Sequence, residues 1–279
     1  METRYQILKI LNNNVVIAEG MDSQETVLIG KGIGFSKKPG DELEEQRVDK
    51  LYILKDKEKQ QQYKQLLTQI DESIVLVMND IIEYSEKKLD VKFNEHIHIA
   101  LTDHIAFAIK RIKQGMDIVN PFSEETRLMY PKEYAVAQEV VEILRKQTDV
   151  SLPDGEIGFI ALHLHSATSN QSLSKLNSYS HLINQLLQII EQQLEMNIDK
   201  ESIDYMRLIQ HLRRAIDRLE SGEQVGNQER LAKVLKEEYP LCYNTAWKLM
   251  KVMQHSLGKK ADEAEAVYLT MHLQRLSPQ

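Results

Sequence analysis

One helical unit is written twice in this chain, and that repeat constrains the fold more than any other feature. Residues 101–112 read LTDHIAFAIKRI and residues 208–219 read LIQHLRRAIDRL. At an offset of 107 they share Leu101/Leu208, His104/His211, Ala108/Ala215 and Arg111/Arg218. A second match, at an offset of 109, sets EIGFIALHL (156–164) over EAVYLTMHL (265–273). It aligns Glu156 with Glu265, Phe159 with Tyr268 and His163 with His272. Tyr130-Pro131 and Tyr134 fall on Tyr239-Pro240 and Tyr243 at the same offset, so one small insertion absorbs the drift. The chain holds two copies of one helical unit, each with two histidines at equivalent places.

Histidine changes charge near neutral pH and is a nucleophile and a metal ligand. Leu208, His211, Leu212, Ala215, Ile216 and Leu219 follow helical spacing, as do Ile160, His163, Leu164 and Ala167, and Leu269, His272, Leu273 and Leu276. A lone histidine on an apolar stripe is commonly a satisfied core residue. Four of them, paired and repeated, point to a shared site, although duplication alone also carries residues along.

A length of 279 residues suits two domains or three small ones. A net charge of −7 argues against a chain that binds nucleic acid through overall basicity. The one cysteine, Cys242, excludes internal disulfides and a cysteine-based zinc site, and suits a reducing cytoplasm. METRYQILKILNNN carries charges and asparagines where a signal peptide needs an apolar core, and the aliphatic run Ile74–Met78 is too short to span a bilayer. The expectation is a cytoplasmic protein without membrane insertion.

The first 55 residues hold 5 of the 11 glycines and read as short strands over Tyr5–Leu11, Val15–Glu19, Thr26–Ile29 and Val48–Leu54. Asn12-Asn13-Asn14 and Met21-Asp22-Ser23 read as tight turns. Four such strands bury little surface alone, which a dimer sharing one core would remedy. Residues 56–64 read as a solvated helical start or linker, and the chain is helical thereafter. Pro121, Pro131, Pro153 and Pro240 mark helix starts or breaks, the polar stretch 168–180 separates the copies, and Glu220–Gln228 joins two helices. The expected fold is a small all-β, dimer-forming module at 1–60, then two homologous all-α bundles at 65–170 and 172–279.

The loop GKGIGFSKKPG presents Lys31, Lys37 and Lys38 beside Phe35, flanked by glycines. Lysines steer a phosphate backbone, an aromatic ring stacks on an unpaired base, and the amides of Asn12, Asn13 and Asn14 can pair with base edges. Residues 1–55 carry 8 basic and 9 acidic side chains, so any such binding rests on a local patch, and a plain β-hairpin module fits the composition equally.

KILNNNVVIA (9–18), LIGKGIGFSKKPGD (28–41), LTDHIAFAIKR (101–111) and GEIGFIALHLHSA (155–167) together resemble the BglG/SacY-type transcriptional antiterminators over essentially the whole chain. NEHIHIALTDHIAFAIKR and EYPLCYNTAWKL look most like the family's glucose-type branch. The resemblance implies a co-antiterminator RNA-binding module followed by two phosphotransferase-system regulation domains. It implies RNA contacts from Lys9, Asn14, Gly30, Lys31, Gly32 and Phe35; the family often has Arg where this chain has Lys31, which keeps charge but loses a bidentate fork. It implies phosphorylation of His104 and His163 in the first domain and His211 and His272 in the second. The partners it implies are a leader mRNA hairpin, a sugar-specific phosphotransferase transporter component as phosphate donor, the carrier HPr for the second domain in many members, and a second copy of the chain.

Phosphate on an imidazole adds roughly two negative charges and three acceptor oxygens. Asp103, beside His104, is a candidate to orient that ring or to discourage accumulated negative charge. His96, His98 and His165 form H-x-H pairs without a match in the second copy, and a metal needs three convergent ligands, so they read as structural. His181 and His255 read as surface residues. No catalytic residue, metal or cofactor is expected. Two other classes remain in view: a DNA-binding activator under the same regulation, for which no helix-turn-helix precedes the repeats, and a histidine-ligated metallohydrolase, for which no H-E-x-x-H spacing exists.

Overall fold

The computed structural model describes residues 4–20, 25–44, 46, 48–52, 57–116, 118–169, 171–223, 226 and 228–276. The chain opens with strands β1 (Arg4–Ile10), β2 (Val15–Glu19), β3 (Glu25–Ile29), β4 (Glu42–Glu44) and β5 (Lys50–Tyr52). They form one sheet in the order β4-β1-β2-β3-β5, antiparallel at every step, with a register shift between Ile7 and Lys9. Four strands were expected; β4 is a fifth, three residues after Pro39-Gly40 that pair along β1. The expected turn at Met21–Ser23 and the end of the last expected strand lie outside the described residues.

Alternation decides what each sheet face buries. Val16, Ala18 and Leu28 join Tyr5, Ile7, Ile33 and Leu43 on one face. Val15, Val27 and Ile29 lie on the other, beneath Tyr63, Leu67, Val75 and Ile99. Those four covering residues come from the helical part of the same chain. Helix α1 (Lys57–Gln69) therefore acts as a lid on the sheet through Tyr63 and Leu67, where a solvated helical start or linker was expected.

The remaining helices are α2 (Glu72–Leu89), α3 (Ile97–Lys113), α4 (Ser123–Met129), α5 (Pro131–Gln147), α6 (Gly155–Ser169), α7 (Leu173–Leu194), α8 (Ile203–Ser221), α9 (Glu229–Glu238), α10 (Pro240–Leu257) and α11 (Glu263–Leu276). Side chains of Asp71, Ser172 and Ser202 cap the starts of α2, α7 and α8 by accepting backbone N–H groups. Pro131 and Pro240 each sit at a helix start, where a missing N–H costs nothing. The polar stretch 168–180 is mostly helical: Ser172 caps α7, and Leu176 and Tyr179 are buried.

Two compact units emerge. The first comprises residues 1–120 and 132–171, the second 121–131 and 172–279. The first helical core gathers Ile81, Leu101, Ile105, Val140, Leu144, Ile160 and Leu164, all buried. Helix α4 belongs by sequence to the first repeat yet packs on α7 and α8 of the second unit. Its Glu125 is fully buried there, accepting from Lys200 Nζ at 3.2 Å and Tyr205 Oη at 3.1 Å. Arg213 donates to the Met129 carbonyl and stacks over the Tyr130 ring.

Candidate functional site

Residues seven apart on a helix lie two turns apart on one face. His104 and Arg111 stand in this relation on α3, and Glu156 and His163 on α6. Packing α3 against α6 makes one cluster of the four. The His104 and His163 ring centroids are 4.8 Å apart, with Phe159 5.8 Å from His104. His104 Nε2 lies 2.9 Å from Glu156 Oε2, and Arg111 Nη2 donates to Glu156 Oε1.

Glu156 is fully buried. Burial alone would raise its carboxyl pKa; the hydrogen bond and charge of His104, and then Arg111, outweigh that and hold it below the usual range. His163 has no carboxylate partner among the described residues. Burial pushes it down to about 3, with the charges of His104 and His96 adding to the shift. It stays neutral where an ordinary histidine titrates.

The second unit repeats the plan on α8 and α11. His211 and His272 are closer, 4.3 Å between centroids, with Tyr268 at 6.1 Å in the place of Phe159. Glu265 is again buried. Here Arg218 takes both its oxygens, Nε on Oε1 and Nη2 on Oε2 at 2.8 Å. His211 Nε2 is left 3.9 Å from Glu265, too far for a hydrogen bond, and is buried without a partner among the described residues. Burial first, then His272, Arg218 and Arg214, lower His211 to about 3; burial first, then Arg275 and Arg207, lower His272.

Sequence reading found the four histidines and missed their partners. Glu156, Arg111, Glu265 and Arg218 were already aligned by the repeat, and that duplication was the signal for them. Asp103 does not orient His104: it is exposed and makes no hydrogen bond to the ring, because α3 turns it toward solvent and Glu156 approaches from α6. His165 Nδ1 lies 2.8 Å from Glu133 Oε1, His96 is exposed at the start of α3, and His98 is partly buried. His181 and His255 are exposed, His181 beside Phe122. Among the described residues no three His, Cys, Asp or Glu side chains converge as a metal requires, and no helix is long and apolar enough to cross a membrane.

At the other end of the chain, the asparagine turn and the glycine loop are zipped together. Asn14 accepts from Gly30 N through its backbone oxygen at 2.9 Å and from Gly32 N through Oδ1 at 2.7 Å. Asn13 O accepts from Gly34 N at 2.8 Å, and Asn12 Oδ1 accepts from Asn14 N at 3.0 Å. A Cβ at Gly34 would sit 2.4 Å from Asn12 O, so the close approach requires glycine. Gly32 adopts φ +69°, the left-handed region glycine favours. Ile33 anchors the loop in the core while Phe35 is 70 % exposed. Lys9, Lys31 and Lys38 are exposed; Lys37 Nζ is tied to the Glu42 carbonyl at 3.1 Å. The side-chain oxygens of Asn12 and Asn14 thus hold the loop's shape.

The chain matches the CAT RNA binding domain over residues 5–61 and the PRD domain over residues 79–167 and 184–276. It is 51% identical over 277 residues to the "PtsGHI operon antiterminator" of Bacillus subtilis, with 99% of each chain covered. It is 43% identical over 273 residues to "Protein GlcT" of Staphylococcus saprophyticus, with 96% of each covered, and 41% identical to the "GlcA/glcB genes antiterminator" of Staphylococcus carnosus, with 99% of this chain and 97% of that one covered. The solved structure titled "Crystal structure of GlcT CAT-PRDI" is similar at 52% identity and a TM-score of 0.55, over 60% of this chain and 99% of that one. A β-module with an exposed aromatic loop, two repeats of a paired-histidine cluster and these matches agree: the chain belongs to the BglG/SacY-type transcriptional antiterminators, in which a CAT RNA-binding domain is followed by two PRD domains.

Proposed function

We propose that this chain binds a hairpin in a leader mRNA, keeps a competing terminator from forming, and is switched by phosphate on its histidine pairs. The RNA-binding domain is assigned to residues 1–60 and the regulatory domains to 65–170 and 172–279. Lys9, Lys31 and Phe35 meet the RNA, and Asn12, Asn14, Gly30 and Gly32 set the surface that carries them. The relatives are named as antiterminators of the ptsGHI operon and of glcA/glcB, which supports glucose as the sugar. The donor to His104 and His163 is the sugar-specific phosphotransferase transporter component, and HPr serves His211 and His272. The protein acts in the cytoplasm, as a homodimer, and catalyses no reaction of its own.

The observation that carries this reading is the recurrence of one arrangement. Each unit brings two histidine rings within 5 Å beside a buried carboxylate and an arginine. A single such cluster fits a structural role; two, in a chain headed by an RNA-binding domain, fit a two-input switch. Phosphopeptide mapping after incubation with each purified phosphotransferase component tests it. Phosphate on His104 or His163 from the sugar-specific component is the expected result. Absence of phosphate from all four histidines with every component contradicts it.

A further inference from the structure

We infer that Glu156 is a positioning residue for phosphoryl acceptance, holding His104 as the Nε2–H tautomer so that Nδ1 of His104 takes the phosphoryl group. The inference rests on the proposed reading that the first histidine pair is phosphorylated, and adds which ring, which nitrogen and which partner.

The geometry leaves one tautomer. Glu156 lies between two donors, Arg111 on Oε1 and His104 Nε2 at 2.9 Å from Oε2. A carboxylate in that position only accepts hydrogen bonds, so Nε2 carries the proton and Nδ1 carries the lone pair. A carboxylate on one imidazole nitrogen also fixes the orientation of the ring. His163 packs against the same ring at a tilt but has no carboxylate among the described residues to balance positive charge.

The donor's N–P bond breaks and an N–P bond forms at Nδ1 of His104. Phosphoramidate, protonated on its nitrogen, leaves as ammonia, and a ring-protonated phosphohistidine donor leaves as neutral imidazole, while the Nε2 proton stays between the His104 ring and Glu156. The positive charge left on the ring faces the Glu156 carboxylate, which is already in place. Attack by Nε2 would first have to break that hydrogen bond.

The second unit serves as an internal control. Arg218 occupies both oxygens of Glu265, and His211 Nε2 stands 3.9 Å away without a hydrogen bond. His211 therefore lacks the bond that fixes His104, although the four corresponding residues are present.

The experiment uses the full chain and two donors: potassium phosphoramidate, which needs no protein docking, and a phosphorylated sugar-specific transporter component. Before reaction, two-bond 15N–1H correlation spectra give the tautomer of His104. After reaction, 15N and 31P spectra give the phosphorylated nitrogen. The expected results are an Nε2–H tautomer, phosphate on Nδ1 of His104, and slower labelling of His211 by phosphoramidate. Glu156→Gln should slow labelling of His104 by about tenfold or more with both donors, as loss of an outer-shell partner does elsewhere. A residue that only shaped a docking surface would slow the protein donor alone. The wild-type nitrogen assignment needs no variant, so a misfolded Glu156→Gln leaves the test intact. Phosphate on Nε2 of His104, or on His163 alone, overturns the inference while the proposed function stands. No phosphate on any of the four histidines overturns both.

Discussion

The side-chain carbonyl of Asn14 accepts the backbone N–H of Gly32 at 2.7 Å and so latches the asparagine turn to the glycine loop. Asn14→Ala removes that acceptor and leaves the N–H to water. We expect a loss of about 1 kcal/mol in stability and a larger fractional loss in RNA affinity, because Lys31 and Phe35 ride on the loop. Asn14→Asp keeps an acceptor and should retain more of both. Urea unfolding and fluorescence anisotropy with a leader hairpin measure the two effects. Equal RNA affinity in wild type and Asn14→Ala would show that the latch does not shape the binding surface.

Gly34→Ala should be worse for the fold than Gly20→Ala. A Cβ at 34 meets the Asn12 carbonyl at 2.4 Å, whereas one at 20 meets the Tyr5 ring at 3.5 Å, an ordinary contact. The expected cost at 34 is about 1–3 kcal/mol, the range of overpacked sites. Denaturation midpoints of the two variants decide it, and similar midpoints would contradict the close approach.

Phe35 offers the opposite test. At 70 % exposure its ring supports little of the core. Phe35→Ala should leave the melting temperature nearly unchanged and weaken RNA binding by about 1–3 kcal/mol, the worth of one base stacked on an aromatic ring. An unchanged affinity in this folded variant would remove Phe35 from the RNA surface.

Stability should fall in acid for a reason built into the histidine pairs. Burial holds His163 and His211 at about 3 in the folded chain, against 6.5 for an ordinary histidine. Between those values the unfolded chain binds more protons, so stability rises with pH. Their contribution is complete above about pH 6.5 and lost progressively as pH falls toward 3. The lowered carboxyl of Glu156 acts in the same direction. His163→Gln and His211→Gln should flatten the dependence of the urea midpoint on pH between about 7 and about 5. A slope equal to wild type would show that these rings are not neutral in the fold.

The features written as periodicity were legible in the sequence. Val15–Glu19 reads as a strand because its aliphatic residues alternate between two cores, and α8 reads as a helix because Leu208, Leu212, Ala215 and Leu219 recur on one face. The strand Glu42–Glu44 was not legible: Glu-Leu-Glu has little strand preference of its own and is held by its pairing with β1. The placement of α4 with the second unit was not legible either, since sequence order assigns it to the first repeat. Four histidines stood out as residues of one type on apolar stripes. Glu156 and Arg111 did not, because a charged residue on a helix is normally solvated, and only packing of α3 on α6 shows that they are buried against each other.

The central claim is that the charge state of the first histidine pair controls antitermination. Dianionic phosphate on His104 would enter a cluster where Glu156 already lies 2.9 Å from the ring and Arg111 is already engaged. Such a charge is not held there without a compensating partner, so the phosphorylated state moves away from the RNA-competent one. His104→Ala cannot be charged. A reporter placed behind the leader terminator, read with and without glucose, tests this most directly. The account predicts that His104→Ala gives antitermination independent of the sugar. Full sugar dependence in both His104→Ala and His163→Ala would contradict it and move the sensor to His211 and His272.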